Sequence, residues 1–282
     1  MKKGHISKTL MQKIEFIKMH GLGNDFVIID RRNNSININK DIIHKLSDRK
    51  TGAGCDQVIT IDKNISSDHD ACIKIYNPNG DNAEACGNGT RCVAKLLFKE
   101  KKTNTLRLKS LAGILNAKKI NNDIISVNLG KISHYWKDIP LTREVDTLNM
   151  PIKLENFSSG VAINIGNPHL VFFGNDIDSL DLNKIGPQIE NHELFPNKTN
   201  VEIVEIINRK IITMRVWERG AGITLACGSG ACAAVYAGML KELTDNIVEV
   251  KLAKGSLQIK IQNNEAIMMG PAVESFRGYI EI

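Results

Sequence analysis

Residues 83–92 read AEACGNGTRC, and residues 225–234 read LACGSGACAA. In the first stretch a cysteine stands before a glycine-rich turn, after which Val93, Leu96 and Leu97 recur at the spacing of one helix face. In the second the same turn precedes Val235, Met239 and Leu240. Cys86 and Cys227 lie 141 residues apart, half the length of the 282-residue chain. The same offset carries IKIYN (73–77) onto MRVWE (214–218), so that Tyr76 meets Trp217 and Asn77 meets Glu218. Further upstream an offset of 143 carries GND (23–25) onto GNP (166–168) and Gln57-Val58 onto Asn200-Val201. Matches in one order at nearly constant offset predict a duplicated domain rather than a solenoid.

The remaining elements fall in the same order in both halves. Strands are predicted at 14–20, 26–30, 57–61 and 71–77, with a helix at 40–49 and three short strands at 105–109, 112–118 and 123–129. The second half answers with strand, turn and strand over 162–173, a helix at 178–190, and strands at 200–206 and 211–217. Strands at 246–253, 256–262 and 265–269 follow its own cysteine turn.

Each cysteine turn has a chemical meaning. The first N–H groups of a helix have no partner within the helix, and with the helix dipole they favour an anion. Glycines 87 and 89, or 228 and 230, let a ligand approach the backbone closely. The same field is expected to lower the thiol pKa below the free value of about 8.5. Two such domains facing each other across a pseudo-twofold axis would set one thiol on each side of a bound α-carbon. One thiolate then removes the α-proton while the opposite thiol returns one to the other face, which inverts the stereocentre. A water-excluding cleft is required for that exchange.

Composition narrows the classes. At 42% hydrophobic and 24% charged residues the chain is globular and long enough for two domains. A net charge of +6 suits a small anionic substrate. The lysines are scattered, and the densest run, KEKK (99–102), is broken by Glu100, so no nucleic-acid partner is expected. No apolar run approaches the ~18–20 residues of a membrane span, so no membrane partner is expected either. The N-terminus lacks the apolar core and cleavage site of a secretory signal, which with six cysteines predicts a reducing cytoplasm. No CxxC pair is present and no metal site is expected.

KMHGLGNDF (18–26), NPNGDNAEACGNGTRC (77–92), GNPH (166–169) and WERGAGITLACGSGACA (217–233) resemble the diaminopimelate epimerase family. The resemblance runs from about residue 14 to the C-terminus. It implies a cofactor-independent, PLP-free epimerase that converts L,L-diaminopimelate to the meso form, on the route to lysine and peptidoglycan. It also implies an α/β fold of two pseudo-symmetric domains, each a mainly antiparallel sheet or barrel wrapped around a central helix. The expected boundaries are an extension at 1–13, an N-terminal domain at 14–130 joined by a C-terminal strand at 273–282, and a C-terminal domain at 131–272. A homodimer is the assembly implied.

Residue by residue, Cys86 and Cys227 match the family's catalytic pair, and His169 and Glu218 match positions that assist it. Gly87, Asn88, Gly228 and Ser229 match the cradle of the reacting carboxylate. Asn24, Gln57, Asn77, Asn167, Asn200, Glu218 and Arg219 match positions that contact the amines and the distal carboxylate, where a guanidinium can grip in two places. Asn79 and Asp81 depart from the motif, where Asp and Ser are more usual, and the extension matches nothing in it. Cys55, Cys72, Cys92 and Cys232 read as inert thiols. Racemases of proline or hydroxyproline need no distal clamp, so Arg219 and the asparagines argue against them. The missing CxxC argues against a redox protein, and the presence of both thiols argues against a non-catalytic anion-binding module.

Overall fold

The computed structural model describes residues 13–34, 36–64, 66–84 and 86–281. The expected extension lies outside them except for Lys13, which opens the first strand. The first half runs β1 (Lys13–Gly21), β2 (Asn24–Asp30), α1 (Lys40–Ser47), β3 (Gln57–Asp62), β4 (Ala71–Tyr76), β5 (Asn82–Ala83), α2 (Gly87–Lys101), β6 (Thr105–Ser110), β7 (Gly113–Lys119) and β8 (Ile124–Lys131). The second runs β9 (Val161–Asn164), β10 (Pro168–Phe173), α3 (Leu182–Glu190), β11 (Asn200–Asn208), β12 (Ile211–Glu218), β13 (Gly222–Ile223), α4 (Gly228–Leu240), β14 (Ile247–Leu252), β15 (Gly255–Gln262) and β16 (Glu265–Pro271). A final strand, β17, spans Val273–Glu281.

The duplication extends to strand register. Parallel β2 and β3 pair Phe26 with Gln57, and parallel β10 and β11 pair His169 with Asn200; both partners shift by 143. Antiparallel β3 and β4 pair Val58 with Tyr76, and β11 and β12 pair Val201 with Trp217. The parallel pairings of β4 with β6 and of β12 with β14 are likewise equivalent. Antiparallel β8 and β16 join the halves, and β17 returns to pair with β1. The fold is therefore the expected α/β architecture, mostly sheet, in two like copies.

Each copy has a helix on both faces of its sheet. Phe26 and Ile28 pack with Val93 and Leu97 of α2, while Val27 and Ile29, facing the other way, pack with Ile43 and Leu46 of α1. Burial on both faces makes FVII a continuous apolar run instead of an alternating one. In the second copy Val171 and Phe173 face α4, whereas Leu170 and Phe172 face the cluster under α3. The three-residue face expected for α4 understates its burial, because Gly228 and every residue from Gly230 to Gly238 are buried. Small side chains allow this, since alanine and glycine let the sheet close around the helix. The single helix expected at 178–190 is instead a 3-10 turn at Ile177–Ser179 followed by α3, because Asp181 caps α3 by accepting from the Asn183 N–H. Among the described residues no helix is long and apolar enough to cross a membrane.

Candidate active site

Each cysteine is the N-cap of its central helix. Cys86 Sγ accepts from the Gly89 N–H at 3.4 Å, and Cys227 Sγ accepts from the Gly230 N–H at 3.4 Å. The caps are equivalent because both residues hold extended backbone before a glycine turn. Asn88 brings the two helix starts together. Its Nδ2 donates to Asn24 Oδ1 at 3.2 Å within the first copy and to the Ala226 carbonyl at 3.4 Å, one residue before Cys227, in the second.

Asn24 is delivered by the β1–β2 turn, where Leu22 and Gly23 both have positive φ (56° and 89°) and Gly21 faces Asn24. Two positive φ angles give the turn whose twist suits a hairpin. Asn24 Nδ2 donates to Asp56 Oδ2 at 2.9 Å, which turns Oδ1 toward Asn88 and the Cys86 thiol. Arg49 in turn bridges Asp56 and Asp25. Asp56 was not legible as a functional residue, because nothing in its spacing separates it from a surface aspartate.

The other expected ligands form smaller groups. Gln57 Nε2 donates to Asn77 Oδ1 at 2.9 Å. Asn200 is committed on both sides, accepting from the Arg219 N–H at 2.9 Å and donating to the Pro168 carbonyl at 2.8 Å. It therefore holds the backbone of its neighbours, and the Arg219 guanidinium reaches the Asn197 carbonyl. Ser229 Oγ lies 3.5 Å from Cys227 Sγ. His169 is fully buried between Asn167 Oδ1 (2.9 Å) and Glu202 Oε1 (2.7 Å). Glu202, also fully buried, was missed because a glutamate in a strand usually marks the solvent face.

Two sequence expectations are corrected. The thiols are not acidified. Burial pushes Cys86 up to about 11, with the Glu218 charge adding to it and the Gly89 N–H offsetting only part. Burial, then the Glu218 and Glu202 charges, pushes Cys227 well above the ordinary thiol value. Desolvation outweighs the helix terminus at both thiols, although Cys227 is buried and Cys86 only partly so. Burial also raises the Glu218 carboxyl, against contacts from Thr224 and the Cys227 thiol. The glycines, secondly, clear a side chain rather than only a ligand. A Cβ on Gly87 would sit 2.4 Å from Met268 Cε, and one on Gly228 2.6 Å from Met268 Sδ.

The raised thiols predict a pH response. A group whose folded pKa is raised contributes stability below its unfolded pKa, near 9, and loses it as pH climbs toward the folded value. For Cys86 that window runs from about 9 to about 11. Iodoacetamide is therefore expected to modify the unliganded protein slowly at neutral pH and faster across that window, as peptide mass spectrometry would record. Rapid modification of Cys86 at neutral pH would contradict a raised thiol pKa.

The chain is similar to known proteins over most of its length. A family model described as diaminopimelate epimerase matches residues 16–135 and 161–274. A diaminopimelate epimerase of Pelagibacter ubique is 44% identical over 264 residues, covering 92% of this chain and 95% of the relative. One from Wolbachia sp. subsp. Drosophila simulans is 45% identical over 252 residues, covering 88% and 93%. Among solved structures, a Bacillus anthracis phenazine biosynthesis protein of the PhzF family has a TM-score of 0.67 at 17% identity, covering 96% of this chain and 100% of that one. A hydroxyproline epimerase from Agrobacterium vitis with bound trans-4-hydroxy-L-proline has a TM-score of 0.67 at 12% identity, covering 96% and 92%. At these identities the structures speak for the fold alone.

Proposed function

The chain belongs to the diaminopimelate epimerase family, and from that premise we propose how its own residues epimerise L,L-diaminopimelate to the meso form. The observation that carries the reading is the Asn88 bridge, which holds the two cysteine-capped helix starts against each other. The reacting carboxylate sits on the free N–H groups at Gly87-Asn88 and Gly228-Ser229, where both dipoles favour it. One thiolate takes the α-proton, the electron pair spreads into that carboxylate, and the opposite thiol donates its proton to the other face. The two sulfurs exchange roles with each inversion.

Glu218 is the group placed to accept the proton that must leave one thiol first, since its charge acts on both Cys86 and Cys227. Arg219, with Asn77 and Asn167, takes the distal carboxylate, and Gln57 steadies Asn77. Cys227 and Asn88 are 5% and 2% exposed, so substrate enters only if the site opens. The two domains that would part are residues 14–130 with the strand at 273–282, and residues 131–272. A homodimer is the assembly this reading favours, supported by Val273, Phe276 and Tyr279, which β17 leaves exposed.

The test is direct. In heavy water with L,L-diaminopimelate, the reduced protein is expected to incorporate α-deuterium while the isomer ratio moves toward equilibrium. Absence of both would sink the epimerase reading.

A further inference from the structure

The duplication superposes two pairs of buried residues. Shifted by 143, Phe26 corresponds to His169 and Ile59 to Glu202, in the register that pairs Phe26 with Gln57 and His169 with Asn200. All four side chains are fully buried. In the first copy the pair is apolar and packs under the start of α2: a Cβ on Gly89 would lie 2.5 Å from Ile59 Cδ1 and 3.3 Å from Phe26 Cε1. In the second copy the polar pair packs under the start of α4, where a Cβ on Gly230 would lie 2.6 Å from Glu202 Oε1. One fold thus accepts phenylalanine with isoleucine, or histidine with glutamate, at the same place. A buried ionic pair brings little stability over an apolar pair of like volume, so the exchange calls for a functional reason.

The hydrogen bonds supply one. His169 Nδ1 lies 2.7 Å from Glu202 Oε1, and Nε2 lies 2.9 Å from Asn167 Oδ1. Both ring nitrogens lie within hydrogen-bond distance of side-chain oxygens, an arrangement that a ring donating from both would satisfy. In that arrangement the Asn167 oxygen is held by Nε2–H, and only its NH2 group is left to offer a ligand. That group donates to a carboxylate and has no lone pair for an ammonium.

We propose that Glu202 is a positioning residue that sets the substrate preference of Asn167 through His169. The carboxylate keeps a proton on Nδ1 beside a second proton on Nε2, and Nε2–H fixes the Asn167 amide with its donor end toward the substrate. A neutral ring would accept at Nε2, turn the amide over, and present a carbonyl where a carboxylate must bind. The proposal rests on the placement of Asn167 among the substrate ligands. The Glu202 Oε2 atom has no hydrogen-bond partner among the described residues, so nothing else there competes for the carboxylate's role.

The experiment uses the full chain labelled with 15N-histidine, without substrate, near neutral pH. The wild-type His169 ring is expected to show two protonated nitrogens. In Glu202→Gln it is expected to show one, and KM for diaminopimelate is expected to rise about tenfold, the loss typical of a charge-assisted contact, with kcat changed less than KM. A merely structural role would move neither the ring protonation nor KM selectively. A singly protonated wild-type ring, or a Glu202→Gln enzyme with unchanged KM, overturns the proposal. Should Glu202→Gln fail to fold, the wild-type spectrum still decides. The double variant His169→Phe/Glu202→Ile, which restores the pair used in the first copy, supplies a folded enzyme expected to show the raised KM, and an unchanged KM there also overturns it. Failure of the wild-type enzyme to exchange the α-proton would overturn the reaction, whereas a singly protonated ring overturns only this assignment.

Discussion

Cys86→Ser and Cys227→Ser will each slow epimerisation by roughly 10²–10⁴-fold, the range for removing a positioned acid or base, with the protein still folded. Serine keeps the shape of cysteine and is the better N-cap, so the N–H bonds from Gly89 and Gly230 survive. What it loses is acidity. A hydroxyl ionises far less readily than a thiol, and burial already pushes Cys86 up to about 11, so a serine there has no accessible anion. In the proposed two-base scheme both substitutions act alike, because each inversion would use one sulfur as base and the other as acid. Rates from isomer ratios, read beside thermal melts, separate lost chemistry from lost fold. Full activity in either single variant would eliminate the two-base scheme.

Gly87→Ala and Gly228→Ala carry the second large effect. Each new methyl would meet Met268, at 2.4 Å from Cε or 2.6 Å from Sδ. Met268 is fully buried on β16, paired with Val127 of β8, and Arg91 Nη1 donates to its sulfur at 3.2 Å. Because Met268 is fully buried, its displacement is resisted by packed neighbours, and overpacking is expected to cost about 1–3 kcal/mol. The greater loss is catalytic. Pushing the two helix starts apart displaces both thiols, and a misplacement of about 1 Å can cost on the order of 10²-fold in rate. Adding Met268→Ala to either variant removes the Met268 clash and is expected to recover most of the lost rate but not the stability, since emptying a buried methionine site costs about 2–5 kcal/mol. If the double variants recover no rate, Met268 is not the spacer between the helices.

Much of this architecture was readable in one dimension because duplication is a one-dimensional signal. The offsets of 141 and 143 that align Cys86 with Cys227 and Asn24 with Asn167 are the offsets that the strand registers obey. The same shift could have exposed Glu202. It lays Glu202 on Ile59, and a glutamate at the position of a core isoleucine is a flag. Strand periodicity hid it, since alternating glutamates in NVEIVEI read as a solvent face.

Asp56 and Met268 carried no such flag. Asp56 acts by turning the Asn24 amide, and Met268 by filling the space beneath both glycines. Both relations join residues far apart in the chain, and no local pattern encodes them.

The sequence by itself determined the repeat, the placement of a thiol at the head of each central helix, and the class of reaction such a pair performs. These follow from residue type and spacing. Only the tertiary structure decided the ionisation of those thiols. Spacing predicted the field of a helix terminus, which lowers a thiol pKa. Folding buried Cys227, partly buried Cys86, and brought the Glu218 charge to act on both, with Glu202 adding to Cys227. Desolvation and neighbouring charge depend on what surrounds an atom in three dimensions, and in this site they outweigh the helix field.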